Sequence, residues 1–80
     1  MGIYFVINMF QREGAKLMNM LQLEHSDLQF LRETLNVPDE DPFLYGEYQI
    51  NAEANEKLFQ RYGFKLDLEK YDCFAGYKSS

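Results

Sequence analysis

Ile3-Tyr4-Phe5-Val6-Ile7-Asn8-Met9-Phe10 is apolar at almost every position. With the two-residue period of a strand, one face carries Ile3, Phe5, Ile7 and Met9, and the other Tyr4, Val6, Asn8 and Phe10. A segment apolar on both faces is covered on both, which predicts a central strand rather than a sheet edge. Gln11-Arg12-Glu13-Gly14 then supplies a turn, with Gly14 suited to a positive φ. The stretch from Ala15 to Glu24 reads two ways. Leu17, Met18, Met20 and Leu21 fit one side of a helix, whereas Leu17, Leu21 and Leu23 fit one side of a strand. Composition favours helix, and the short polar connection favours a hairpin. We read it as a strand, because the next element begins so soon afterwards.

Ser26-Asp27-Leu28-Gln29 has the form of a capping box, with Ser26 as N-cap, Gln29 three positions on, and Asp27 adding negative charge to the first turn. Leu28, Leu31 and Leu35 make the apolar stripe of the helix that follows. Pro38 disfavours helical geometry at Val37, so Asn36-Val37-Pro38 ends it. Phe43 to Ile50 alternates enough to predict a strand, most clearly over Tyr45–Ile50. Asn51 can cap a second helix over Ala52–Tyr62, closed by Gly63. After a linker over 64–69, a last strand runs from Tyr71 to Tyr77, with Tyr71, Cys73, Ala75 and Tyr77 on its core face. Ser79 and Ser80 read as a frayed end. The order strand, strand, helix, strand, helix, strand predicts an α+β fold: a small antiparallel or mixed sheet of three or four strands with both helices packed on one face, where their leucines leave water. No repeat or low-complexity tract divides residues 1–80, so one domain is expected.

Thirteen Asp and Glu oppose eight Lys and Arg, for a net charge of -5. The acids concentrate: from Glu24 to Glu47 there are seven carboxylates and one base, Arg32. The bases are scattered, unlike the clustered patch of a nucleic-acid binder. Nucleic acid and anionic membranes are therefore disfavoured as partners; the acids would steer encounters with a basic protein, or serve simply as a soluble surface. Residues 1–7 lack the basic leader and small-residue cleavage site of a signal peptide, and fall far short of the roughly 20 residues that cross a bilayer. Cys73 is the single cysteine. It permits no internal disulfide, reads as a small buried hydrophobe, and suits a reducing cytoplasm.

No catalytic, cofactor-binding or metal-binding set emerges. His25, the one histidine, precedes the helix cap, where a boundary role is favoured over general-base chemistry, and its neighbour Ser26 cannot form a triad geometry with it. Asp39-Glu40-Asp41 lacks the alternating donors and terminal Glu of a calcium loop. The scattered glycines cradle no phosphate. An enzyme is not expected. The second half of the chain instead interleaves aromatics with acids, and tyrosine suits interfaces because its ring packs while its hydroxyl bonds. The candidate protein-binding residues are Asp39, Glu40, Asp41, Tyr45, Glu47, Tyr48 and Asp72.

The stretch from Leu31 to Pro42, then Tyr45 and Tyr48-Gln49-Ile50, and Leu66-Asp67-Leu68-Glu69-Lys70-Tyr71-Asp72-Cys73-Phe74, resembles a family of small bacterial immunity proteins associated with polymorphic toxins, including contact-dependent growth-inhibition systems. The resemblance implies a cytoplasmic protein that binds a cognate toxin domain and blocks its active site or substrate path. On a nuclease toxin, Asp39, Glu40, Asp41 and Glu47 would occupy the basic surface that holds phosphate. The alternative is a small structural or regulatory protein-binding module, homodimeric through an exposed edge strand or aromatic patch.

Overall fold

The computed structural model describes residues 2–23 and 26–79. The elements are β1 (Ile3–Gln11), β2 (Leu17–Leu23), α1 (Leu28–Thr34), β3 (Tyr48–Gln49), α2 (Ala52–Tyr62) and β4 (Tyr71–Ser79). The four strands form one sheet in the order β2-β1-β4-β3, with every pairing antiparallel. The central position expected of Ile3–Phe10 follows from its pairing on both sides: Phe5 faces Leu23 and Tyr77, and Ile7 faces Leu21 and Ala75. The stretch read as a strand forms one over Leu17–Leu23, and Gly14 takes a φ of 83° in the turn before it.

Both helices lie on one face, giving the α+β arrangement expected. Phe5 and Ile7 are completely buried there with Cys73 and Ala75, beneath Leu31 and Leu35 of the α1 region and Ala54 and Leu58 of α2. Each large side chain in this cluster contributes roughly 1.5–3 kcal/mol by leaving water. Phe5 and Tyr77 meet edge-to-face at 5.3 Å. The core face assigned to β4 holds, since Cys73, Ala75 and Tyr77 are buried on it, while Gly76 on the other face is buried beneath Gly46. Burial pushes the Cys73 thiol above its ordinary pKa, consistent with a packing role.

The helix ends are fixed by side chains. Asn51 accepts from the Ala54 N–H at 2.8 Å, and Gly63 closes α2 in the left-handed region, both as expected. Within α2, buried Asn55 bonds both backbone groups of Leu66 (Nδ2 to O 2.8 Å, N to Oδ1 3.0 Å), tying the 64–69 linker to the helix.

Three expectations are corrected. The N-cap of α1 is Asp27, which accepts from the Phe30 N–H at 3.2 Å, not Ser26. Distant partners decide this. Asp27 also holds Arg61 at 3.0 Å and donates its N–H to the Tyr62 hydroxyl, while Ser26 Oγ lies 2.6 Å from the hydroxyl of buried Tyr77, which needs a partner there. Gln29 consequently bonds Glu33 one turn on instead of reaching back to the cap. Second, the strand expected over Phe43–Ile50 shrinks to Tyr48–Gln49, because Leu44 has a φ of 57°, incompatible with extended pairing. Third, Ser79 is paired with Ile3 rather than frayed. Glu24, His25 and Ser80 lie outside the described residues, and so does the boundary role expected of His25.

The backbone of Gly46 crosses directly over Gly76 of β4. A Cβ on Gly76 would collide with the Gly46 carbonyl oxygen, a backbone atom that cannot swing aside. This crossing lies on the sheet face away from the helices, where Val6, opposite Gly76, is only 2% exposed. Gly76→Ala should therefore displace the crossing segment and cost about 2 kcal/mol or more. Chemical denaturation measures this, and an unchanged midpoint would show that the segment does not press on β4.

Candidate functional site

The segment from Asp39 to Tyr48 joins α1 to β3 and is built around one carboxylate. Asp41 Oδ1 accepts the Tyr45 N–H at 2.8 Å, and Oδ2 accepts the Gly46 N–H at 2.8 Å and the Tyr48 hydroxyl at 2.6 Å. The Asp41 carbonyl also accepts the Leu44 N–H at 3.1 Å. Short Asp side chains favour such bonds to backbone a few residues ahead. Pro42 follows immediately and gives up no backbone donor at this crowded turn.

Leu44 is the second anchor. Its side chain is completely buried, and its carbonyl accepts the Tyr77 N–H of β4 at 2.8 Å. A left-handed non-glycine backbone costs of order 1–2 kcal/mol, which burial of a leucine offsets. With Leu44 turned inward, its neighbours turn outward. Phe43 is 58% exposed and Tyr45 52% exposed, and their rings lie 5.9 Å apart. An exposed aromatic pair on a tethered backbone loses little freedom when a partner covers it.

The candidate residues divide into three groups. Asp41, Tyr45 and Tyr48 come together, but Asp41 points inward as the clasp and Tyr48 is half-buried against the core, so only Tyr45 presents its ring. Asp39 and Glu40 are exposed at the rim of the loop, with Asp39 3.7 Å from Arg32. Glu47 lies on the open sheet face, where Oε1 accepts from Asn8 Nδ2 at 2.9 Å and sits 3.7 Å from Lys78 Nζ. Asp72 is not joined to them. It pairs with Arg12 at 3.4 Å, four residues along β4 from Gly76, or about 13 Å of strand. Phe43 was missed by the sequence reading. Its signal was the Phe43-Leu44-Tyr45 triplet directly after Asp41-Pro42, where strand alternation suggested one inward residue without showing which neighbours would stand out.

A groove of about 490 Å³ lies elsewhere, between Arg12, Gln49, Asn51, Tyr71 and Asp72. Three of its polar side chains already serve the fold: Arg12 pairs with Asp72, and Asn51 caps α2. Among the described residues, no three His, Cys, Asp or Glu side chains converge as a metal would require, and no helix is long and apolar enough to cross a membrane.

The Tyr48 hydroxyl, then the N–H groups of Gly46 and Tyr45, hold the Asp41 carboxyl below the usual carboxylate range, and the same bond raises the Tyr48 phenol above its ordinary value. Because the folded value is depressed, the contribution of Asp41 to stability is complete above the unfolded value of about 3.9 and is lost as pH falls through the folded value. Asp41→Asn should lower the melting temperature at neutral pH. The gap from the unsubstituted protein should close as pH falls below about 4, where that protein loses the same charge. Thermal melts across pH test this, and a gap that stays constant would remove the carboxylate from its role as clasp.

No curated protein matches the sequence. A family model does match, over residues 4–76, from the second residue of β1 through both helices and the clasped loop to Gly76. The chain therefore belongs to the family described as domain of unknown function DUF7683.

Proposed function

We propose that this protein is a non-catalytic immunity protein that binds a cognate toxin domain and covers its basic active-site surface. The observation that carries the reading is the aromatic pair Phe43 and Tyr45, held outward by the Asp41 clasp and rimmed by the carboxylates of Asp39 and Glu40. The resemblance of Leu31–Pro42 and Leu66–Phe74 to immunity proteins points the same way. On this reading the protein acts in the cytoplasm, where an incoming toxin meets its target.

The loop divides the work physically. Asp39 and Glu40 attract a basic surface at long range and raise the encounter rate. Phe43 and Tyr45 then lose their exposed apolar area to the partner and slow its escape. Asp41 acts by positioning the loop rather than by contact. If the partner is a nuclease, the acidic rim takes the place of substrate phosphates on its cationic groups.

The test first asks whether the neighbouring reading frame encodes a large secreted protein with a variable C-terminal domain, then purifies that domain and measures association and dissociation rates at low and high salt. Phe43→Ala or Tyr45→Ala should weaken binding about tenfold or more, chiefly through faster dissociation. Asp39→Asn with Glu40→Gln should slow association and flatten its salt dependence, leaving Asp41 intact. Absence of binding, or unchanged rates in both sets of variants, would overturn the proposal.

A further inference from the structure

We propose that β2 is a self-pairing edge: two copies of the chain join antiparallel along β2 about a two-fold axis, making one eight-stranded sheet. Among the described residues β2 pairs with β1 alone, which leaves its outer side open. The direction of its outer groups follows from the ladder. On β4, the Tyr77 N–H and the Cys73 carbonyl bond outward, to Leu44 and Ile50. Phe74, Gly76 and their alternates therefore bond inward to β1. Phe5, Ile7 and Met9 are then left to bond β2 at Leu23, Leu21 and Asn19, and Met20 and Gln22 turn their N–H and C=O groups away from the sheet. The Met20 N–H shows this directly, since its acceptor is the Asn19 side chain at 2.8 Å rather than a strand.

The character of this edge selects a second copy as its occupant. Residues 17–23 carry no charge, and Leu17, Met18 and Met20 are about half exposed. Edge strands are commonly blunted by inward-pointing charge, and none stands here. A charged segment of another protein would find no counter-charge along the strand, whereas a second β2 meets no like charge despite the net charge of -5. The irregularity where Met9 and Phe10 pair with Asn19 and Leu17 takes Met18 out of the alternation, leaving Asn19–Leu23 as the regular part. A two-fold axis at Leu21 pairs that part with itself. Met20 then exchanges hydrogen bonds with Gln22 of the second copy, Gln22 with its Met20, and the two Leu21 side chains meet on the helix-covered face.

Five residues span about 16 Å, which by itself falls short of the roughly 800 Å² per partner of a standard interface. The dimer is therefore weak and concentration-dependent. Asn19 further limits it, because pairing must displace its side chain from the Met20 N–H. The binding loop lies at the opposite edge, beyond β4, so dimerisation leaves it uncovered and yields a bivalent particle.

Sedimentation of the full chain from about 10 µM to about 1 mM tests this. A monomer–dimer equilibrium is expected. Asn19→Ala should lower its midpoint about fivefold by uncapping Met20. Met20→Lys with Gln22→Lys, both at exposed positions, should leave a monomer at every concentration with its melting temperature retained. An unsubstituted chain that stays monomeric to the highest concentration, a dimer indifferent to the double substitution, or open-ended polymers would each overturn the proposal. None of these results bears on toxin binding, which the loop substitutions read separately.

Discussion

The contact between Gly46 and Gly76 is the constraint around which the outer edge of the sheet is organised. β3 pairs with β4 at only two positions, so the rest of that edge needs another cover. The chain supplies it by laying residues 44–47 across β4, with the Leu44 carbonyl taking the Tyr77 N–H and Glu47 reaching over to Asn8. This route is open only because Gly76 has no side chain. It forces Leu44 into a left-handed backbone and brings two N–H groups together, and the Asp41 carboxylate accepts both. Fold and proposed binding surface thus share one device: the turn that covers β4 also pushes Phe43 and Tyr45 into solvent.

The parts of the fold that were legible in the sequence are those set by local pattern. Continuous apolarity placed β1 at the centre, Asn51 and Gly63 bounded α2 to the residue, and alternation chose the buried face of β4. The parts that were not legible depend on partners far along the chain. Ser26 and Asp27 are equally good caps when viewed locally. The choice is made by Arg61, Tyr62 and Tyr77, 34 to 51 residues away. Phe43–Ile50 alternates like a strand, yet the Gly76 crossing and the Asp41 clasp bend it, and neither contact has a local signature. Of the candidate binding residues, Asp39, Glu40 and Tyr45 occupy the exposed loop, Asp41 and Tyr48 build it, and Asp72 belongs to another part of the sheet.

The acidic stretch between Glu24 and Glu47 also acquires internal structure. Asp27 is tied to Arg61, Asp41 is turned inward, and Glu47 is shared between Asn8 and Lys78. Much of the negative charge is therefore committed to holding the fold, and the outward share at the loop narrows to Asp39 and Glu40. A partner would meet a small aromatic centre with an acidic rim, rather than an extended sheet of charge. That arrangement suits short-range anchoring with modest electrostatic steering.

Native-state hydrogen exchange at neutral pH tests most directly whether the loop is held in place before any partner arrives. The amides of Tyr45, Gly46 and Tyr77 each donate to an acceptor within the clasped segment. They should be protected well above free-peptide rates and lose that protection together in Asp41→Asn. Tyr45 and Gly46 amides exchanging as fast as an unstructured peptide, with β1 still protected, would contradict a preorganised loop.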